Sequence, residues 1–279
     1  MLRRFVRVLA GQAFAAGLCG VAVVLAQSSL GTAQSFAVLG GSTVTNTGPS
    51  VITGDLGVSP GTAITGFPPG TATGTIHAAD AVALQAQNDV TTQYNALASA
   101  ACSADLTGQD LGGQTLIPGI YCFSSSAQLT GTLTLNAQGN ANAAFIFKTG
   151  STLTTASASS VVMINGGNPC GVAWQIGSSA TLGTTTSFIG NLIALQSITL
   201  NTGANIIGRA LARNGAVTLD TNNVSFAACS VGGGPPSVPP PPVPALATWA
   251  MIVLAGLLAL AGYWTLRSRQ SPSGPQARA

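Results

Sequence analysis

Residues able to do covalent or metal chemistry are scarce in this chain. Its 279 residues include six Asp, no Glu, one His (His77) and one Lys (Lys148). Sugar-cleaving enzymes on parallel β-helices need paired carboxylates, or a base beside a cation, at the bond to be broken. Here the aspartates are dispersed, and Asp55 and Asp220 are the best a catalytic reading can offer. His77 has no second ligand type close in sequence and reads as a polar end residue. Cys102, Cys122, Cys170 and Cys229 lack the short spacing of a zinc site. The sequence therefore predicts no enzyme, no metal and no cofactor. Only 5% of residues are charged, against about 25% in an ordinary soluble domain. Between the terminal segments, Lys148, Arg209 and Arg213 face the six aspartates, a net charge of −3. Nucleic acid requires a basic stripe to neutralise its phosphates, so that partner is excluded.

What the chain repeats is small hydroxyls. Residues 197–208 read SITLNTGANIIG and residues 179–190 read SATLGTTTSFIG. Overlaid, Ser179/Ser197, Thr181/Thr199, Leu182/Leu200, Thr184/Thr202, Ile189/Ile207 and Gly190/Gly208 coincide. Residues 44–56 (VTNTGPSVITGDL) overlay 199–211 (TLNTGANIIGRAL), and 218–226 (TLDTNNVSF) is a further copy, one residue tighter in its turn. A beat of about 18–20 residues is too short for a helical repeat and fits one turn of a β-solenoid.

The elements that position these residues follow from composition. Short segments rich in β-branched and aromatic residues, bounded by Gly, Asn or Ser, read as strands: FAVLG, TLTLN, AFIFK, VVMIN, VAWQI, SFIGNLIAL, SITL and AVTLD. Inward side chains of successive coils stack on their equivalents, and Leu182/Leu200/Leu219 and Ile189/Ile207 are the expected buried columns. Outward equivalents stack too, about 4.7–4.9 Å apart. Like charges would repel there, whereas Thr fits. One segment breaks the pattern: residues 77–101 carry Ala83, Ala86, Val90, Tyr94, Leu97 and Ala101 at helical spacing. The expectation is a helix of about 24 residues, ~36 Å long, lying lengthwise against the solenoid.

The two ends read as addresses. Residues 1–33 have a basic start, an apolar run and small residues at the exit, the layout of a secretory signal peptide. Cleavage after Ala26 (Val24-Leu25-Ala26) and after Ala33 (Gly31-Thr32-Ala33) both suit it. Residues 34–230 form one solenoid domain, and 231–244 a Gly/Pro-rich linker, stiff where proline-rich. Within 245–269, Ala245–Leu266 gives 22 residues without a charge, enough to cross a bilayer. Arg267 and Arg269 follow as a cytoplasmic stop, and 270–279 is a cytoplasmic tail. The order Val243-Pro244-x-Leu246-x-x-Trp249, then a helix, then Arg267 and Arg269, resembles the IPTL-CTERM sorting tail of Gram-negative bacteria, a relative of PEP-CTERM signals. That resemblance implies a body exported to the cell envelope surface or beyond, with membrane attachment transient where a sorting protease removes the tail. Four cysteines outside the signal peptide suit an exported, disulfide-bonded chain. Cys102–Cys122 would tie the end of the helix to the next strand, which leaves Cys170 for Cys229.

Three stretches carry a resemblance that covers almost all of residues 34–228: FAVLGGSTVTNTGPSVITGDLGVSPG, FIFKTGSTLTTASASSV and ITLNTGANIIGRALARNGAVTLD. With the interrupting helix, they resemble the DUF3494 ice-binding proteins of microbes. The resemblance implies a mainly β fold: a discontinuous, right-handed, triangular β-solenoid with one long helix alongside. To this the terminal readings add a signal helix and a transmembrane helix. It also implies adsorption to ice through one flat face, by a monomeric body whose partner is ice and ordered water. Active members show Thr-(Ala/Gly)-x-(Thr/Asn) along that face. Thr202-Gly203-Ala204-Asn205 and Thr149-Gly150-Ser151-Thr152 match it. Thr47-Gly48-Pro49-Ser50 departs at the last place, Thr184-Thr185-Thr186-Ser187 at the second and last, and Thr221-Asn222-Asn223 is shortened. The expected ice-contacting set is Thr47, Thr184, Ser187, Thr202, Asn205, Thr221 and Asn223. The alternative is a surface adhesin or matrix component that binds glycans or other cells through the same Thr/Asn face.

Overall fold

All paired strands of the solenoid run parallel, as a chain winding in one sense requires. The computed structural model describes residues 30–226. The signal segment as far as residue 29, Cys229, the linker, the expected transmembrane segment and Val243, Pro244, Leu246, Trp249, Arg267 and Arg269 lie outside the described residues.

Each coil visits three faces. Val172–Ile176 lies on the first and Ala180–Leu182 on the second. The strand Ser187–Ala194 runs along the third and bends back to the first. The bend falls at Gly190 and, one coil on, at Gly208, with φ of 116° and 146°. A Cβ on Gly208 would lie 2.0 Å from the Gly190 carbonyl oxygen, so the close approach of coils there requires glycine.

The chain does not stack its coils in order. The N-terminal strand Phe36–Gly40 pairs with Asn205–Ala212, through Val38 opposite Ala210. The coils that follow it therefore extend one end of the stack as far as Ile76–Ala78. The helix Ala81–Ser99 carries the chain back to the other end, where Ala104–Asp105 begins the remaining coils. Its 19 residues span about 28 Å. It is shorter than the expected 77–101 because Asp80 caps it, accepting from the Ala83 N–H, and because His77 belongs to a strand paired through Gly57. Ala101 is correspondingly exposed beyond the helix end. Gln87 fastens the helix at the seam between early and late coils, donating to the carbonyls of Gly40 and Ala212 at 2.9 and 3.0 Å. Cys102 and Cys122 are bonded just past the helix, as the sequence predicted.

The interior holds Leu182, Leu200 and Leu219 as expected, beside a stack of Tyr121, Phe147, Trp174 and Phe188. The second expected column is corrected. Ile207 is 43% exposed, while Phe188, Ile206, Val224 and Ile52 are buried. Alternation along the third-face strands puts these four inward, so Ile207 turns outward, while Ile189 is half-buried and packs against the edge of the core. Among the described residues no helix is long and apolar enough to cross a membrane.

Candidate functional site

The second face is a seven-stranded sheet ordered Ala127–Leu129, Leu153–Thr155, Ala180–Leu182, Ile198–Leu200, Val217–Asp220, Thr43–Thr47 and Ala63–Thr65. Inward side chains flank an outward position along these strands: Ala127 and Leu129, Ala180 and Leu182, and Ile198 and Leu200 are apolar, while buried Thr155 and Asn46 stand beside Thr154 and Thr45. The pairing sets those outward positions in one file: Gln128, Thr154, Thr181, Thr199, Thr218, Thr45 and Thr65. Six of the seven are threonine. Thr45 donates its hydroxyl to that of Thr218 at 3.4 Å. Neighbours in the file stand about 4.8 Å apart, and the next outward position along each strand is about 6.6 Å away.

Two residues toward each strand's start lies a second file of small side chains, including Ser126, Thr152, Ser179 and Ser197. There the hydroxyls stitch coil to coil. Ser179 Oγ accepts from the Ser197 N–H at 3.3 Å, and Ser197 Oγ from the Ala216 N–H at 3.2 Å. Thr152 donates to Ser126 Oγ at 2.9 Å.

On the other side the face ends at a corner, where the sequence-predicted residues fall. Thr184 and Thr202 occupy the turn after their strands and Thr47 ends its strand, all exposed. Ser187, Asn205 and Asn223 lie across the corner on the third face, in register with one another. The structure thus brings six of the seven together as two ranks along one bend rather than on one flat sheet, with Thr221 outside both.

Thr221 departs from the alignment. The amides of Thr185, Gly203 and Thr221 donate in turn to the carbonyls of Thr202, Asp220 and Thr47. These three share the left-handed conformation, with φ of 56°, 72° and 55°. Thr221 therefore stacks over Gly203, because its coil is one residue shorter. The place beside Thr202 belongs to Asp220, which accepts the Thr202 hydroxyl at 2.5 Å and that of Thr221 at 3.0 Å. Thr149, in the other matching motif, is buried on the first face and donates to the Ser151 carbonyl, at a different corner.

The corner is held from inside by polar groups that the repeat alone had not singled out. Thr155 and Thr186 share a hydrogen bond at 2.9 Å. Asn222 donates to the carbonyls of Asn201 and Ala204, and its Oδ1 accepts from the Asp220 N–H. The central file had a visible signal as well, the Thr181/Thr199 coincidence, but its direction depends on knowing which neighbours turn inward.

Apart from Asp220 at the corner and Asp110, which bridges to Gln128 at one end of the file, charge is kept away from this face. Asp80 is held below the ordinary carboxylate value by the Ala83 amide and then by His77, and Asp105 by the Thr107 hydroxyl and amide. Lys148 donates to the Ala100 carbonyl at the helix end, and burial lowers its pKa. Arg209 is buried, which brings its pKa down to about 10, and it stacks on Phe226. Among the described residues no group of His, Cys, Asp or Glu could hold a metal ion.

Residues 38–225 match the ice-binding-like family. The chain belongs to that family. An ice-binding protein of Nostoc sp. (strain HG1) is 66% identical over 201 residues, which cover 72% of this chain and 74% of that protein. One from Flavobacterium frigoris (strain PS1) is 32% identical over 213 residues, 71% of this chain and 76% of its own length. Among solved structures of family members, an ice-binding protein from an Antarctic biological consortium superposes with a TM-score of 0.69 at 50% identity, covering 70% of this chain and 89% of that one. One from the ascomycete Antarctomyces psychrotrophicus gives 0.69 at 43% identity, covering 70% and 96%. The family is one of ice binding, not of catalysis.

Proposed function

We propose that this chain is an exported antifreeze protein that adsorbs to ice through the outer face of the seven-stranded sheet. The observation that carries the reading is the in-register file of six threonines and Gln128 on a sheet whose outward centre bears no charge. Each Thr methyl excludes bulk-like water while its hydroxyl anchors one molecule. The serine and threonine file beside it completes a net with strand spacing in one direction and two-residue spacing in the other. Water held on that net merges with a growing ice front and pins it. The backbone is fixed by coil-to-coil hydrogen bonds, so the waters are arranged in advance and binding costs less entropy.

Thr47, Thr184 and Thr202 extend the net along its edge. Ser187, Asn205 and Asn223 add a second rank past the bend, and Thr221 stands between them. No residue is assigned a catalytic role. Export is the expectation from the signal-like N-terminal segment, the sorting-tail motif and the disulfide chemistry. With it goes a membrane contact that a sorting protease ends.

The test is ice-recrystallisation inhibition by the purified, folded protein at micromolar concentration. Inhibition is expected. Its absence in folded protein contradicts the reading and favours an adhesin that uses the same Thr/Asn surface.

A further inference from the structure

The sequence offers two places for signal cleavage, after Ala26 and after Ala33, and the segment between them is not idle. Gly31–Ser35 forms a 3-10 turn that lies on the helix. Leu30 is 2% exposed and Ala33 fully buried. Both sit in one apolar cluster with Phe36 and Leu39 and with Ala83, Ala86 and Val90 of the helix. The Thr32 N–H donates to Asp89 at 2.7 Å. Gly31 passes so close that a Cβ there would lie 2.4 Å from the Asp89 carboxylate. One residue past the second candidate site, the Gln34 carbonyl accepts two hydrogen bonds from buried Arg209, at 3.2 and 2.6 Å.

We infer that the processing site is the Ala26–Gln27 bond and that residues 30–33 are retained as part of the solenoid body. A cut after Ala33 removes Leu30 and Ala33 from the cluster, uncovers the helix's first turns and takes away the amide that Asp89 accepts. It also places a new ammonium group on the same residue as the carbonyl that Arg209 binds. A cut after Ala26 leaves Leu30–Ala33 seated behind a short polar start, Gln27-Ser28-Ser29, and keeps the small residue that signal-cleaving proteases require at the scissile bond. In the step, water adds across the amide: Ala26 leaves as a carboxylate and Gln27 gains a free amine. The inference rests on the signal-peptide reading and is independent of ice.

The full chain, exported from a Gram-negative host, is purified and its first residue is read by peptide mass spectrometry. A chain starting at Gln27 is the expected result. A start at Gln34, or an intact leader, overturns the inference. The full-length Ala26→Leu variant supplies the control: it should keep its leader, whereas unchanged processing would place the cut elsewhere and equally overturn it.

Discussion

The threonine face and the helix-covered face come from the same coils, a few residues apart in every turn, yet one is left open and the other is closed. On the covered side, Ile146, Ala173, Ile193, Leu211 and Leu39 form an apolar cluster with Ala83, Ala86, Val90, Tyr94 and Leu97 of the helix. On the open side the outward centre is Thr154, Thr181, Thr199, Thr218, Thr45 and Thr65. The backbone ladder is the same kind on both. What differs is the outward side chain: an apolar rank must be buried, and here a helix does it. A rank of threonines keeps methyls and hydroxyls at the surface in an order the strands impose.

The strongest way to break this contrast is to damage the covered side alone. Leu97 is fully buried, and Leu97→Ala should cost about 2–5 kcal/mol through lost burial and a cavity, read by denaturant unfolding. Ice adsorption of the protein that remains folded should be unchanged. The corner tests how rigidly the open face is held. Asn222→Ala removes a donor to two carbonyls and an acceptor for the Asp220 amide, and should destabilise by about 1–3 kcal/mol.

The smallest effect expected is that of pH. Asp80 and Asp105 sit below the ordinary value, through the Ala83 and His77 contacts and the Thr107 contacts respectively. Asp110 does too: burial pushes it up, but bonds from Gly112 and Thr130 outweigh that. A carboxylate whose folded value is lowered lends stability above its unfolded value, about 3.9, and loses it as pH falls through the folded one. Melting temperature should therefore drop modestly only below about pH 4. Ice adsorption should stay level from about pH 5 to pH 9, because no group of the central file titrates.

Much of this was legible in the sequence, for physical reasons. The repeat marks coils because equivalent residues must stack, and the helix's buried stripe follows from its spacing. The first disulfide follows from chain proximity. Orientation was harder to read. The repeat shows that Ile189 and Ile207 are equivalent, but not that Ile207 faces water while Ile189 is half-buried, since that depends on where the strand bends at Gly190 and Gly208. Nor does an alignment with one residue missing reveal whether Thr221 or Asp220 stands beside Thr202. Hydrogen bonding of the left-handed turn decides that.

The central claim is that ice meets the threonine file rather than the third face, and two matched variants test it most directly. Thr181→Tyr places a ring in the middle of the file, and Ile207→Tyr places the same ring on the third face, at a side chain already 43% exposed. Partition of each folded variant into slowly grown ice is the measurement. The account predicts that Thr181→Tyr lowers partition by about tenfold, equivalent to ~1.4 kcal/mol, while Ile207→Tyr leaves it near that of the parent. Full partition of Thr181→Tyr, with loss in Ile207→Tyr, would contradict it.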